Sequence, residues 1–374
     1  MDLCEQAPSY IRAIAPYQPG KPISELAREL GLDERKIVKL ASNENPFGIS
    51  PKAKAAIKKG LAELARYPDG NAFELKAALA RRHGVPQECI VVGNGSNDLL
   101  ELAAAAFLTP GRAAVYSQHA FAVYPLATQA RGATGIVVPA RNYAHDLEAM
   151  LAAITERTKL VFIAAPNNPT GTTNDRAELD AYFERVPPHV LTVLDQAYFE
   201  YVDGTSYPDG VAEYLARGHR VLVLRTFSKI FGLAGLRVGY GIGPADVITA
   251  IGKVRRAFDV TSIGQEAALA SIHEEAEIAR RRAANKEAMA LLHNVLREHA
   301  LEPAGPAVAN FLFVRVGDAE GLNEALLRRG VIVRPMGSFG APDALRITAG
   351  TPEEVAFLGD ALAALDAPVG AAPR

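Results

Sequence analysis

Cysteine is scarce in this chain: Cys4 and Cys89 are the two it has in 374 residues. That is too few for a disulfide framework, and they lack metal-ligand spacing. The eight histidines are scattered, with no pair spaced as ligands, so no metal centre is expected. Neither sign of charge is in excess. Forty basic residues against 42 acidic ones give a formal net charge of −2. This offers no electrostatic reason to expect nucleic acid or an anionic membrane as partner. No apolar run approaches the roughly 20 residues of a membrane span. The first residues show no basic segment followed by an apolar one, so no secretory signal is read. Internal repeats and low-complexity tracts are missing as well. These absences leave a soluble, cytoplasmic globular protein as the expectation. The hydrophobic share of 49% and charged share of 22% are ordinary for that class.

The length exceeds what one core usually supports, so a large and a small domain are expected. Pro16, Pro19, Gly20 and Pro22 predict an irregular arm before a short helix near Glu25–Leu30. The middle of the chain alternates short apolar runs with helical segments. The runs are Ile90-Val91-Val92, Ala113 to Tyr116, Ile136 to Val138, Leu160 to Ile163, Val190 to Leu194 and Val221 to Leu224. Continuous apolar strands between helices predict a mostly parallel sheet covered on both faces. From about residue 265 the pattern changes to a long helix, Gln265 to about His299. Three further runs follow, Phe311 to Val316, Val331 to Val333 and Leu345 to Ile347. This reads as a smaller α+β domain, completed by the N-terminal arm. The expected division is an arm at 1–44, a large domain at 45–264 and a small domain at 265–374. The small, Pro/Gly-rich residues Ala367 to Arg374 read as a frayed tail.

In parallel α/β sheets ligands sit beyond the carboxyl ends of the strands, and the residues there are informative. Ile90–Val92 leads into Gly93-Asn94-Gly95-Ser96-Asn97-Asp98. The glycines allow a tight turn, Ser96 can cap the next helix, and a helix N-terminus binds phosphate. An ordinary capped turn is the plainer reading. Leu160–Ile163 leads to Asn168-Pro169-Thr170-Gly171, which is either a turn or an amide donor placed by one. Val190–Leu194 ends at Asp195, which is either a helix N-cap or a carboxylate for a cationic group. Val221–Leu224 leads into Thr226-Phe227-Ser228-Lys229, and Arg237 follows. Burying an ammonium is costly. A lysine there has a use as an amine nucleophile, and hydroxyls with an arginine suit a phosphate. Pyridoxal phosphate needs a Schiff-base lysine, a carboxylate on its ring nitrogen, donors to its ring oxygen and a phosphate cup. Lys229, Asp195, Asn168 with Tyr198, and Ser96, Ser228 and Arg237 supply these in turn.

On these residues the chain resembles the fold-type-I pyridoxal-phosphate aminotransferases, and within them the histidinol-phosphate aminotransferase branch. The resemblance runs from about Tyr10 to Leu365. It includes Leu40-Ala41-Ser42-Asn43-Glu44-Asn45-Pro46-Phe47-Gly48, Arg66-Tyr67-Pro68-Asp69, Asn168-Pro169-Thr170-Gly171, Asp195-Gln196-Ala197-Tyr198, Ser228-Lys229 with Arg237, and Leu345-Arg346-Ile347-Thr348. It implies an aspartate-aminotransferase-like α/β fold: a large cofactor-binding domain and a smaller α+β domain. It further implies Lys229 as the Schiff-base lysine and proton shuttle, and Asp195 on the ring nitrogen. Tyr198 and Asn168 fall to the ring oxygen, and Phe121 to the ring face. Gly95, Ser96, Asn97, Thr226, Ser228 and Arg237 are implied around the cofactor, with Tyr67 reaching the phosphate of a neighbouring subunit. The active unit is then a homodimer with shared sites. Tyr17, Asn43, Arg334 and Arg346 are implied for the substrate, Arg346 at a carboxylate and Arg334 with Tyr17 at a phosphate. An arginine at a strand end can equally be a solvated charge, and Tyr17 a packing anchor.

Three positions depart from the family's pattern: Gln196 for glutamate, Phe121 for tyrosine, and Ser96-Asn97-Asp98 for Ser-Asp-Glu. They could tune substrate choice or cofactor affinity. The implied reaction exchanges an amino group between histidinol phosphate and 2-oxoglutarate, giving imidazole acetol phosphate and glutamate, in histidine biosynthesis. A rival on the same fold is an aromatic amino-acid aminotransferase acting on phenylalanine, tyrosine or arogenate, and another is a decarboxylase of phosphothreonine type. From a different class, Gly239-Tyr240-Gly241-Ile242-Gly243 hints at a dinucleotide-binding oxidoreductase. The run lacks full Gly-x-Gly-x-x-Gly spacing, and no helix is clearly read after it. A non-catalytic binding protein would leave the filled catalytic positions unexplained.

Overall fold

The computed structural model describes residues 3–202 and 206–366. The tail read as frayed, 367–374, lies outside the described residues. After the arm helix Ile23–Leu30 comes the first strand, β1 (Val38–Lys39). Seven strands of one sheet follow: β2 (Ile90–Gly93), β3 (Ala113–Ser117), β4 (Thr134–Val138), β5 (Thr158–Ala164), β6 (Leu191–Asp195), β7 (Val221–Thr226) and β8 (Gly239–Ile242). Their order is β2-β8-β7-β6-β5-β3-β4. Only β8 runs against its neighbours. The carboxyl ends of the other six therefore share one edge.

The apolar runs form strands because both sides of each are covered. Leu160 and Phe162 face one core with Leu222 and Leu224, while Val161 and Ile163 face the other with Val221 and Val223. This is the two-residue alternation of a strand split between two layers. The edge strand β4 departs from the expected double cover, since Val137 is 55% exposed. Between β5 and β6 the helix Arg176–Arg185 starts on a capping box from Asp175 and Glu178, two donors satisfied reciprocally.

The remaining strands are β9 (Phe311–Arg315), β10 (Val331–Ile332), β11 (Arg334–Pro335) and β12 (Ala344–Thr348). An antiparallel sheet of order β11-β12-β9 packs its own core of Leu292, Leu312, Val314, Leu345, Ile347 and Leu358. The arm strand β1 pairs in parallel with β10, and Leu40 joins that same core. The long helix expected from Gln265 is two helices, Ser262–Ser271 and Glu275–Glu298. The break comes where the packing partner changes. The first helix lies on Pro51–Gly60 and the second on Pro352–Asp366. Arg82 holds the junction by donating to the Ile272 carbonyl. No glycine or proline marks this break in the sequence. A helix does follow Gly239–Gly243, at Ala245–Gly252. Because β8 is antiparallel, that helix begins at the edge opposite the strand ends described above.

His145 is 1% exposed beside the end of β5 and accepts the Ala164 amide at 3.1 Å through Nε2. Burial lowers its pKa from 6.5 to about 4. The folded state thus binds this proton less readily than the unfolded chain. The stability it confers is complete above pH 6.5 and is lost as pH falls toward 4. At about 1.4 kcal/mol per pH unit, the wild type should lose about 2 kcal/mol more than His145→Gln between pH 7 and pH 5. Urea unfolding at the two values checks this; equal losses would show that the burial of His145 does not govern the dependence.

Candidate active site

The strand ends on the shared edge open into a cavity of about 380 Å³. Ser96, Asn97, Phe121, Asn168, Asp195, Tyr198, Thr226, Ser228, Lys229 and Arg237 all line it. These come from five separate strand ends and the loops after them. Ser42, Glu44 and Tyr124 also line it and were not singled out from the sequence.

Lys229 follows the end of β7 by three residues. Its Nζ donates to the carbonyls of Asn43 at 3.2 Å and Ser42 at 3.4 Å, and stands 5.4 Å from the centre of the Tyr198 ring. No acidic side chain pairs with it among the described residues, which leaves the amine to neutral carbonyls and the cavity. Asp195 ends β6 and is buried. It caps no α-helix; a short 3-10 turn, Phe199–Tyr201, follows instead. Its Oδ1 accepts the Ala197 amide at 3.1 Å and its Oδ2 the Tyr124 hydroxyl at 2.9 Å. Burial pushes this carboxyl above its ordinary value, opposed by the Tyr124 hydroxyl, the Ala197 amide and the Lys229 charge. A buried carboxylate facing a cavity is completed by a cation there.

At one end of the cavity the donors suit a phosphate. Ser96 begins the helix Ser96–Phe107, with Gly95 as N-cap at φ +81°. The expected cap by Ser96 is not made: Ser96 is already the first helical residue, and no side-chain cap bond forms. Its amide and hydroxyl therefore stay at the free helix N-terminus. Thr226 donates to Ser228 Oγ at 3.0 Å, and Arg237 Nη1 reaches Ser228 Oγ at 3.3 Å. At Gly95 a Cβ would meet the Arg237 guanidinium, the movable end of a flexible side chain, and it is the positive φ that favours glycine there. A Cβ on Gly239 would run into the backbone of Gly95 and Ser96. Backbone cannot yield as a flexible side chain can. Gly239→Ala is therefore expected to displace the Gly95–Ser96 turn and weaken binding of pyridoxal phosphate, the cofactor that the resemblance implies, about tenfold or more, roughly one charge-assisted hydrogen bond's worth. Titration of the apoprotein with pyridoxal phosphate, followed by fluorescence, checks it.

The four substrate candidates stand around the cavity and do not line it. Arg346 on β12 bonds Asn168 Oδ1 and donates to the Ala41 carbonyl at 2.7 Å. Its Nε is buried with no partner. Burial lowers its pKa to about 10, with the Arg334 charge adding to the effect and the phenols of Tyr198 and Tyr17 opposing it. Arg334 on β11 lies directly opposite in register, 5.4 Å from the Tyr17 ring and bonded to the Gln18 carbonyl. Both arginines are 6% exposed, and among the described residues neither forms an ion pair. Two buried cations side by side without a carboxylate are costly, and an anion between them would offset that cost. Asn43 is spent internally: its Nδ2 donates to the Tyr198 hydroxyl at 2.9 Å, and its Oδ1 accepts from Thr348 at 3.0 Å. Tyr67 lies away from this cavity, 83% exposed and stacked on Phe258 at 4.8 Å. Gln196 points away from the cavity. It holds Arg225 at 2.8 Å, the Gly210 amide at 3.2 Å and the Pro208 carbonyl at 2.9 Å.

The aminotransferase class I and II family model matches residues 35–362. The chain belongs to the class I and II aminotransferases. It is 52% identical over 374 residues to histidinol-phosphate aminotransferase 2 of Nitrosospira multiformis, covering 100% of this chain and 95% of that protein. Histidinol-phosphate aminotransferase 1 of Thiobacillus denitrificans is 53% identical over 356 residues, 95% of this chain and 92% of that one. Among solved structures, the histidinol-phosphate aminotransferase of Sinorhizobium meliloti in complex with pyridoxal-5'-phosphate superposes with a TM-score of 0.86 at 25% identity. That match covers 96% of this chain and 97% of the other. An aspartate aminotransferase of Thermus thermophilus with maleate gives 0.83 at 25% identity, covering 96% and 99%. This aminotransferase thus has the mostly parallel sheet and helices of that fold, as the sequence implies. Among its described residues no helix is long and apolar enough to cross a membrane.

Proposed function

We propose that this aminotransferase exchanges the amino group of histidinol phosphate with 2-oxoglutarate, giving imidazole acetol phosphate and glutamate, as a cytoplasmic step of histidine biosynthesis. The observation that carries the reading is the cross-strand pair Arg334–Arg346, buried and, among the described residues, without counter-ions beside the cavity of Lys229 and Asp195. One amino donor carries a phosphate and the other a carboxylate. A guanidinium fork accepts both anions. The relatives named histidinol-phosphate aminotransferase favour this reading over an aromatic amino-acid substrate.

The residues around the cavity fit pyridoxal phosphate by donor set and charge. When bound, the cofactor supplies an electron sink for the carbanion left at the substrate carbon that bears nitrogen. Lys229 binds it and afterwards moves the proton at that carbon as base and acid. Asp195 balances the ring-nitrogen proton. Tyr198, held by Asn43, and Asn168, held by Arg346, turn polar groups to the ring oxygen. Phe121 covers a ring face. Gly95, Ser96, Asn97, Thr226, Ser228 and Arg237 take the phosphate end. Arg346 takes the substrate carboxylate, and Arg334 with Tyr17 the substrate phosphate.

The active unit in this reading is a homodimer, with Tyr67 serving the neighbouring site. Its support is the exposed apolar group Leu61, Leu64, Tyr67, Phe73 and Phe258, more apolar surface than an isolated position explains. The arm 1–44, the large unit 45–264 and the small unit 265–374 divide the work. The first two line the cavity, and the small unit brings Arg334 and Arg346 beside it. Helix Ser262–Ser271 straddles the second boundary while packing on the large unit. Comparing kcat/KM for histidinol phosphate, phenylalanine and tyrosine with 2-oxoglutarate tests the substrate. Histidinol phosphate should lead by at least about a hundredfold, since a buried cation left unmatched is costly. Parity with phenylalanine would overturn the reading.

A further inference from the structure

Tyr124 is a wholly buried polar group with no task in the reading above. It lies in the helix Val123–Gln129, and its hydroxyl donates to Asp195 Oδ2 at 2.9 Å. Among the described residues it is the only side chain that donates to this carboxylate; the other oxygen takes a backbone amide. The ring is held on two sides. It lies parallel to Phe162 at 4.8 Å and 7°, and Phe121 meets it edge-on at 6.0 Å and 84°. These contacts fix the ring plane and so aim the hydroxyl.

A buried carboxylate facing a ring nitrogen can share the proton in two ways. The pair is either a neutral acid beside a neutral nitrogen, or a carboxylate beside a protonated one. Burial favours the neutral pair. A hydrogen bond donated to the carboxylate favours the ionic pair. We propose that Tyr124 is a positioning residue that tips this balance, holding Asp195 as the carboxylate and thereby keeping the cofactor's ring nitrogen protonated. This rests on the cofactor reading of the site. Tyr124 does not lose its own proton in doing so. Burial, and then the neighbouring Asp195 charge, raises its pKa well above the usual value. Phe121 and Tyr124 lie in one short segment, so a single stretch of chain would set both the face and the charge of the ring.

The test loads the full-length protein with pyridoxal phosphate carrying 15N in the ring and reads that nucleus by NMR, without any amino substrate. The wild type should resonate at the protonated-pyridine position. In Tyr124→Phe, which keeps both ring contacts, the signal should move toward neutral pyridine, and the cofactor should bind about tenfold more weakly, the effect of one hydrogen bond to a charged group. Incorporation of 4-aminophenylalanine at 124 gives a weaker donor of the same shape and should move the signal part-way. If Tyr124→Phe does not fold, that second protein carries the test. An unmoved 15N signal in the folded variants overturns the role of Tyr124 alone. A wild type that takes up no pyridoxal phosphate overturns the cofactor reading beneath it.

Discussion

Lys229→Ala is expected to lower kcat with either amino donor by at least about 10⁴-fold, the combined loss of a nucleophile and a general base. Among the described residues Lys229 is the only lysine lining the cavity. Its amine rests on two backbone carbonyls rather than a carboxylate, so its removal breaks no ion pair, and Asp195, which loses the attraction of that charge, keeps the Tyr124 hydroxyl and the Ala197 amide. The fold should therefore persist, with a melting temperature close to the wild type's. The phosphate-end donors around Ser96, Ser228 and Arg237 are untouched, and the cofactor should still bind, although without a covalent link. Borohydride treatment of the wild type should fix the cofactor to one peptide, the one containing residue 229. The variant should yield none. Cofactor fixed to another lysine in the variant would refute the assignment.

Lys229, Asp195 and Asn168 were legible in the sequence because each follows a continuous apolar run. Those runs form strands through local pattern and burial, and residues after them land on one edge of the sheet. Tyr124 was not legible. An aromatic residue two positions after Ala122 in a short helix reads as core, and it is core; its hydroxyl matters only because β6 brings Asp195 against it. The same holds for Arg334 and Arg346. Each was marked by resemblance, but their face-to-face register depends on how β11 pairs with β12, which neither segment encodes alone. Two local readings failed, one for a backbone reason and one for a tertiary one. Ser96 carries the chemistry of an N-cap, yet Gly95 takes the cap position because its backbone can adopt the positive φ required there. The break at 272–274 carries no breaker residue and follows from a change of packing partner, a tertiary cause.

The arginine pair gives the second large effect. Like charges opposite one another on adjacent strands destabilise a sheet, and burial adds to the cost. In the proposed reading an anion that arrives with the substrate offsets that cost. Arg346→Met should lower kcat/KM for glutamate by about 10²–10³-fold, or about 3–4 kcal/mol, the loss when one partner of a buried ion pair is cut away. Arg334→Met should impose a comparable loss on histidinol phosphate and a smaller one on glutamate, because Arg334 lies against Tyr17 and Phe339, whereas Arg346 bonds the cavity-lining Asn168. Neither change should lower the melting temperature of the substrate-free protein by the amount typical of a core substitution, since each relieves a repulsion. Steady-state kinetics with both donors, paired with thermal unfolding, separates the roles. A binding pair loses catalytic efficiency and keeps its stability. A structural pair does the reverse, and that outcome would remove both arginines from the substrate site. Arg346 carries one further constraint. It also holds Asn168, which lines the cavity and is assigned to the cofactor's ring oxygen in the proposed reading, so Arg346→Met should alter kcat as well as KM, whereas Arg334→Met should act on KM alone.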